Sequence, residues 1–116
     1  MRRRFFTALI ITGLMSGSAL AQPVNHAGAA GKDYEASMQA MHQAMMKAND
    51  SDPDRAFALK MIEHHRGGIA MVDILLKHGD DAELKSMGRK TSDMQKKEIG
   101  ELQAWLDRHG GRAPRP

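Results

Sequence analysis

Methionine and histidine are the residues of this sequence whose types and spacing suggest chemistry. The chain of 116 residues contains ten Met and six His but no Cys, and neither Met nor His is among the commonest residues of globular proteins. Thioether sulfur and imidazole nitrogen form a soft to borderline set of metal ligands that suits Cu(I), while imidazole alone also accepts Cu(II) or Zn(II). Ag(I) has similar preferences and is expected to bind the same atoms.

The candidate ligands fall into two groups. His64 and His65 are adjacent in the second predicted helix, between Met61 and Met71. In the first predicted helix, Met and His recur at spacings of three and four residues, which places them on one face. The predicted metal ligands are Met61, His64, His65, Met71, Met38, Met41, His42 and Met45.

Core packing is the alternative explanation for both groups. Met is a good helix former and fills irregular gaps in cores, so a Met stripe by itself favours packing. A His inside the stripe, and two adjacent His framed by Met, favour a ligand set instead. Gly67 and Gly68 follow the His pair, and Gly inside a helix costs roughly 1 kcal/mol relative to Ala. The two Gly residues therefore indicate either the close approach of another helix or space for a bound group.

The third predicted helix carries Thr91, Gln95 and Glu98 in the middle of an otherwise apolar line. A buried carboxylate is unfavourable unless it is paired, and an imidazole of the second helix, His65, is the expected partner. Glu98 would then fix the tautomer of His65, as carboxylates do for metal-binding His. A structural Glu–His pair without a metal is the alternative. The apolar members of this line are Leu84, Met87, Met94, Ile99, Leu102, Trp105 and Leu106.

Two helices are predicted to position the first two groups. The first covers residues 33–48, and the turn-forming segment 49–53 ends it. The second begins with Ser51 or Asp52 as its N-cap and ends at residue 77 or 78, where Gly79 supplies a stop.

The third helix is predicted from residue 80 or 81 to about 109. Short connections make neighbouring helices antiparallel, and no strand pattern is present. The sequence therefore predicts an all-α fold, a small antiparallel helical bundle of about three long helices. Three helices bury limited area in a chain this short, so a homodimer that completes the bundle is one expected state.

An export signal is predicted at the N-terminus. Arg2–Arg4 precede the short apolar run Phe5–Leu14, and Ala19–Ala21 form a small-x-small cleavage site. The apolar run is too short to be a membrane-spanning helix. Residues 1–21 are therefore predicted to be a cleaved signal peptide, and the mature protein is expected to be periplasmic or secreted. The short basic segment favours the general secretory route over the twin-arginine route.

Removal of residues 1–21 changes the charge balance. They contain three of the 17 Lys and Arg and none of the 14 Asp and Glu, so the mature chain has 14 − 14 = 0 formal charge. A neutral chain lacks the surplus of Lys and Arg that nucleic-acid binding requires. The remaining 116 − 21 = 95 residues allow one small domain. We predict a helical metal-binding domain over residues 33–109, between a disordered leader at 22–32 and a disordered tail at 110–116.

The sequence lacks the helical motifs by which several enzyme classes are recognised. The chain has no His-Glu-x-x-His motif of zinc proteases, no Glu-x-x-His motif of di-iron bundles and no Cys nucleophile. We therefore predict a non-enzymatic protein, and a helical enzyme with an unrecognised His–Glu site is the alternative. Without Cys, the chain also lacks a site for a lipid anchor after the signal, so no membrane anchor is expected.

The second and third helices resemble the CopM family of exported copper-binding proteins over about residues 54–107. The similar segments are Asp54-Arg55-Ala56-Phe57, Met61-Ile62-Glu63-His64-His65 with Ile69 and Met71, Gln95-x-x-Glu98-Ile99 and Trp105-Leu106. The resemblance implies a ferritin-like bundle that binds Cu(I), and also Ag(I) or Cu(II), in the periplasm. It implies a role in copper tolerance or as a metallochaperone. The motif residues carried over by position are Met61, His64, His65, Met71, Gln95 and Glu98.

Two positions depart from the pattern of that family. Gly68 stands where the family commonly has Ala, and Leu102 stands where it often has Met, which removes one sulfur. A copper exporter or another periplasmic copper protein is the kind of partner that the resemblance implies. The rival interpretation is a helical interaction module without a metal, because Met-rich surfaces also bind protein partners.

Overall fold

The structure of the protein is a computed structural model that describes residues 26–111. The predicted signal peptide, residues 22–25 of the predicted leader and residues 112–116 lie outside the described residues. The described part consists of three α-helices, which are α1 His26–Lys47, α2 Pro53–His78 and α3 Ala82–Arg108. No strand occurs between residues 26 and 111. The predicted all-α class is therefore confirmed.

The first helix begins earlier than the sequence analysis predicted. Residues 26–32, which were assigned to a disordered leader, are the first two turns of α1, because this segment is rich in Ala, the strongest helix former. Asp33 ties this end of α1 to α2, since its Oδ2 lies 2.8 Å from His78 Nε2 and 3.0 Å from Lys77 Nζ. Both hydrogen bonds lower the pKa of Asp33, and the one with His78 has the larger effect.

The ends of α2 form where the sequence places them. Asp52 is the N-cap, and its Oδ1 accepts hydrogen bonds from the backbone N–H groups of Asp54 at 2.8 Å and Arg55 at 3.2 Å. At the other end, the N–H of Gly79 donates to a carbonyl of the last turn. Both predicted ends of α2 are therefore confirmed.

The third helix ends against the start of α2. Gly110 and Gly111 have φ values of 101° and 94°, in the left-handed region that Gly adopts most readily. The Arg55 guanidinium donates hydrogen bonds to the carbonyls of His109 and Gly111. The first two residues of the predicted disordered tail, residues 110–116, are therefore held in place by α2.

The three helices form a single layer with α2 in the middle. Gly67 of α2 meets Met41 of α1, whereas Gly68 meets Gln95 of α3. Within residues 26–111, the backbones of α1 and α3 do not come close to each other. Both outer helices run antiparallel to α2, so the predicted antiparallel bundle is confirmed.

The core lies between α2 and α3. Its most buried side chains are Ile62 and Leu106, which are 2 % and 0 % exposed, and Ala58 and Leu59 complete the cluster. His65 lies on the same line of α2 as Ile62, and its exposed fraction is only 8 %. The predicted inward direction of His65 is therefore confirmed.

The buried face of α3 differs from the predicted apolar line. The residues that are buried in α3 are Gly88, Ser92 and Leu106, while Leu84, Met87, Thr91 and Met94 are exposed. Small residues at Gly88 and Ser92 allow α2 to come close, since a Cβ on Gly88 would lie 3.0 Å from Leu75 Cδ2. This contact turns the larger apolar side chains to the flank of α3.

No helix within residues 26–111 is long and apolar enough to cross a membrane.

Candidate metal centre

His65 is held by Glu98 across the α2–α3 interface. His65 Nε2 lies 2.7 Å from Glu98 Oε2, so the predicted pair is confirmed. The side chain of His65 is 10 % exposed and that of Glu98 is 44 % exposed. Glu98 therefore lies at the edge of the interface, whereas the sequence predicted a position inside the bundle.

The second ring nitrogen of His65 has no hydrogen-bond partner in the part of the chain that the structure describes. An ionised carboxylate only accepts hydrogen bonds, so Nε2 carries a hydrogen, and in the neutral ring Nδ1 then presents a lone pair. Nδ1 is buried and lacks a hydrogen-bond partner among the described residues. Metal-binding His commonly donates one N–H to a carboxylate and binds the metal through the other nitrogen. His65 therefore has the hydrogen-bond arrangement of a metal ligand, with Nδ1 as the ligating atom.

Gln95 presents a second buried acceptor in the same interface. Its side-chain amide covers the backbone of Gly68, where an added Cβ would lie 2.6 Å from both Nε2 and Oε1 of Gln95. Gln95 Oε1 is buried and has no hydrogen-bond partner in residues 26–111. His65 Nδ1 and Gln95 Oε1 are thus two buried lone-pair atoms that a cation or a hydrogen-bond donor would satisfy.

Met61 and His64 lie beside His65 on α2. Met61 lies one turn before His64 and His65 in α2. Because each residue turns the helix by about 100°, Met61 points between the directions of the two His residues. The ring centroids of His64 and His65 are 6.0 Å apart. Met61 is half-buried and His64 is exposed. Adjacent turns therefore present one thioether, one accessible imidazole and one buried imidazole.

The Met and His residues of α1 divide between two directions. Met41 packs on the backbone of Gly67, where an added Cβ would lie 2.8 Å from Met41 Cβ. Met45 is half-buried, whereas Met38 and His42 are exposed on the flank of α1. Only part of the predicted α1 stripe therefore faces α2.

The candidate ligands form two groups and not one cage. Gly67 faces α1 and His65 faces α3, so Met41 and His65 lie on opposite sides of α2. His64 lies on the edge between these two directions. The first group, called the α2–α3 group, contains Met61, His64 and His65, with Gln95 and Glu98 next to them. The second group, called the α1–α2 group, contains Met38, Met41, His42, Met45 and Met71.

The two Gly residues have a structural explanation. Gly67 gives space to Met41 of α1, and Gly68 gives space to Gln95 of α3. The predicted close approach to α2 is confirmed, and it occurs on two sides of the helix.

One side of the helix layer is rich in Met, which the sequence analysis did not foresee. Lys60 Nζ donates to Met45 O at 2.9 Å, so Met45 and the His64 edge of α2 are on the same side. With antiparallel neighbours and about 100° per residue, the exposed flank of α3 is on this side too. We call it the Met-rich face, and its exposed large apolar residues are Met38, Phe57, Met71, Leu84, Met87 and Met94.

The sequence contains a signal for this face on α3. Met87, Thr91 and Met94 are spaced by four and three residues, and they follow a line parallel to the small residues Gly88 and Ser92. Small residues at one line of a helix indicate where a neighbour approaches closely. The adjacent Met line is then the flank and not the core.

Imidazole and carboxylate side chains do not form a three-ligand cluster in the described part of the chain. Among residues 26–111, no group of three His, Asp and Glu side chains could hold a metal ion. The α2–α3 group differs in kind from such a site, because one of its three candidate ligands is a thioether.

The fold and the site define a class, which is a small all-α bundle with His and Met exposed along its middle helix. The chain belongs to the family described as Domain of unknown function (DUF305), which matches residues 12–106. A comparison with curated proteins finds no match. Membership in the family leaves the function to be argued from the chain itself.

Proposed function

We propose that this protein binds Cu(I) through Met and His side chains outside the cytoplasm. The observation that carries the proposal is the arrangement of His65, whose Nε2 is hydrogen-bonded to Glu98 while its buried Nδ1 has no hydrogen-bond partner among residues 26–111. A buried lone pair without a donor is unfavourable by about 1–3 kcal/mol. A bound cation would remove that cost.

The donor set favours Cu(I) over harder ions. Met61 offers a thioether and His64 and His65 offer imidazoles, whereas the carboxylate of Glu98 is already used by His65. Soft thioether ligands select Cu(I), while Mg²⁺ and Ca²⁺ prefer carboxylate and carbonyl oxygen. Ag(I) fits the same donors, and Cu(II) would rely on the imidazoles.

The α1–α2 group is proposed as a second or shared set of ligands. Cu(I) requires few ligands, so two or three atoms from one edge of α2 are enough for one ion. Met71 and the α1 residues Met38, Met41, His42 and Met45 would then raise the copper capacity of the protein. His64 is placed to take part in either group because it lies between them.

The proposed role is copper tolerance or copper delivery in the periplasm. The predicted signal peptide at residues 1–21 supports export, and the resemblance of residues 54–107 to the CopM family supports copper as the ion. A copper exporter or another periplasmic copper protein would exchange the ion. Thioether ligands suit this compartment, because Met is not consumed by disulfide formation.

Titration with Cu(I) against a competing chelator tests the proposal. Wild-type protein should remove Cu(I) from the chelator, and the double variant His64→Ala, His65→Ala should lose tight binding while it keeps its helical content. Met38→Leu together with Met41→Leu should lower the copper capacity, because the volume is nearly kept while the sulfur is removed.

The matched control is Met46→Leu, since Met46 is 63 % exposed and belongs to neither ligand group. This variant should bind copper like the wild type. If both ligand variants also bind like the wild type, the proposed sites are wrong and the stripes serve packing.

The alternative function is a protein-interaction module without a metal. It is favoured by the exposed Met residues of the Met-rich face, because flexible Met side chains adapt to partner surfaces. Metal analysis of the purified protein separates the two functions, since only a copper protein takes up a fixed number of Cu(I) ions per chain.

A further inference from the structure

We propose that a second copy of this chain covers the Met-rich face, so that the protein is a symmetric homodimer in solution. The proposal rests on the shape and polarity of the helix layer. It does not depend on whether the protein binds copper.

The described monomer is only one helix thick. Stable domains are built from two packed layers of secondary structure around a core. Here α2 packs on both neighbours, but α1 and α3 do not meet within residues 26–111. Two such layers, stacked face to face, would produce the two-layer arrangement that one chain lacks.

The two faces of the layer differ in polarity. On the Met-rich face, the six large apolar side chains are 40–62 % exposed. The opposite face carries charged, exposed residues at the corresponding edges of α2 and α3, which are Arg66, Asp73, Arg89 and Lys96. The layer as a whole is therefore amphipathic, and only one of its faces suits water.

The apolar area is sufficient for a dimer. If a fully exposed large side chain presents ~200 Å², the exposed parts of the six side chains provide roughly 600 Å² per protomer. Two protomers would then bury roughly 1,200 Å², which exceeds the ~1,000 Å² expected of a specific interface.

The charges near the face favour a second copy over a lipid surface. Lys60 donates to Met45 O, and Glu98 accepts from His65, so both charged groups are engaged inside the monomer. An anionic membrane attracts a basic surface, whereas this face combines one Lys with one Glu around an apolar centre. In a two-fold dimer the same face meets itself, and Met side chains adapt well to such a contact.

One consequence links the dimer to the ligand groups, and it rests on the proposed function. His64 and Met71 lie on the edge of α2 that the second copy would cover. Copper bound there would be shielded from solvent by the partner protomer.

Sedimentation equilibrium of the purified full chain in copper-free buffer with a chelator tests the dimer. The wild type should have twice the monomer mass at about 100 µM. Met94→Glu should weaken dimerisation at least tenfold, because a charge would enter the interface. Met46→Glu is the matched control, since Met46 is 63 % exposed, close to the 56 % of Met94. At about 100° per residue, Met46 points away from the Met-rich face, so this variant should dimerise like the wild type.

Circular dichroism should give the same helical content for both variants, since each replaces an exposed residue. A wild type that stays monomeric up to about 100 µM would overturn the proposal. Equal effects of the Met94 and Met46 variants would also overturn it, because the contact would then not be specific to the Met-rich face. Cu(I) titration is independent of these results, so failure of the dimer does not imply failure of copper binding.

Discussion

Replacement of Glu98 by Ala probes the hydrogen bond that orients His65. The change removes the acceptor of His65 Nε2, which lies 2.7 Å from the carboxylate in a side chain that is only 10 % exposed. A buried donor left without a partner costs about 1–3 kcal/mol. Glu98 is 44 % exposed, so water can enter its place, and we expect a loss of about 1–1.5 kcal/mol in the free energy of unfolding.

Two other variants bracket this effect. Glu98→Gln keeps an oxygen that can accept from His65 Nε2, so the loss should be less than half that of Glu98→Ala. Glu101→Ala is the matched control, because Glu101 is exposed and pairs with Lys97 only at 3.7 Å. Such exposed pairs contribute about 0–1 kcal/mol.

Urea denaturation followed by circular dichroism, at one protein concentration, measures these differences. Cu(I) affinity is the second readout, and it should fall about 10–100-fold in Glu98→Ala, as it does when the hydrogen-bond partner of a metal-binding His is removed. If Glu98→Ala is no less stable than Glu101→Ala, the pair does not hold His65. If stability falls but Cu(I) affinity is unchanged, the pair is purely structural.

Three further predictions concern the fold. Gly67→Ala should destabilise the protein in urea denaturation, because the new methyl would lie 2.8 Å from Met41 Cβ. The overpacking cost of ~1–3 kcal/mol outweighs the ~1 kcal/mol gain in helix propensity. A variant more stable than the wild type would show that α1 can move away freely. Leu106→Ala should cost roughly 3–4 kcal/mol in the same assay, because Leu106 is fully buried and leaves a cavity; a loss under 1 kcal/mol would contradict the assigned core. Asp33 has a pKa below its usual 3.8 owing to His78 and Lys77, so its contribution to stability is present above that pH and is lost as the pH falls through the folded-state pKa. Acid titration of unfolding should therefore show a weaker loss of stability below about pH 4 in Asp33→Asn, and an unchanged acid response would refute the contact.

The helices and their ends were predictable because they depend on local chemistry. Asp52 caps α2 and Gly79 ends it, as the residue types alone indicate. The pairing of His65 with Glu98 was predictable for a different reason. Each is a polar side chain on an apolar line of its helix, and its burial would be unfavourable without a partner. The early start of α1 was missed because the Ala-rich segment 26–32 also contains two Gly residues. In addition, the contact that ties this end of α1 to α2, through Asp33, is with a distant part of the chain.

The direction of α3 could not be predicted from hydrophobicity. Two lines of α3 compete for the interface, and the line with Gly88 and Ser92 is less apolar than the line with Met87 and Met94. Close approach of α2 decides in favour of the small residues, which is a property of the pair of helices and not of α3. The same limit applies to the candidate ligands, whose division into two groups depends on where α1 and α3 pack around α2.

X-ray absorption at the copper edge of the Cu(I)-loaded protein tests the central claim most directly, because sulfur and nitrogen neighbours have different distances and scattering. Binding by Met and His predicts at least one sulfur neighbour near ~2.3 Å and at least one imidazole nitrogen near ~2.0 Å, by analogy with zinc–ligand distances. The imidazole contribution should fall in the variant with His64→Ala and His65→Ala, in which His42 is the one imidazole left among the proposed ligands. A spectrum with oxygen and nitrogen neighbours only, or one that this variant leaves unchanged, would contradict the account.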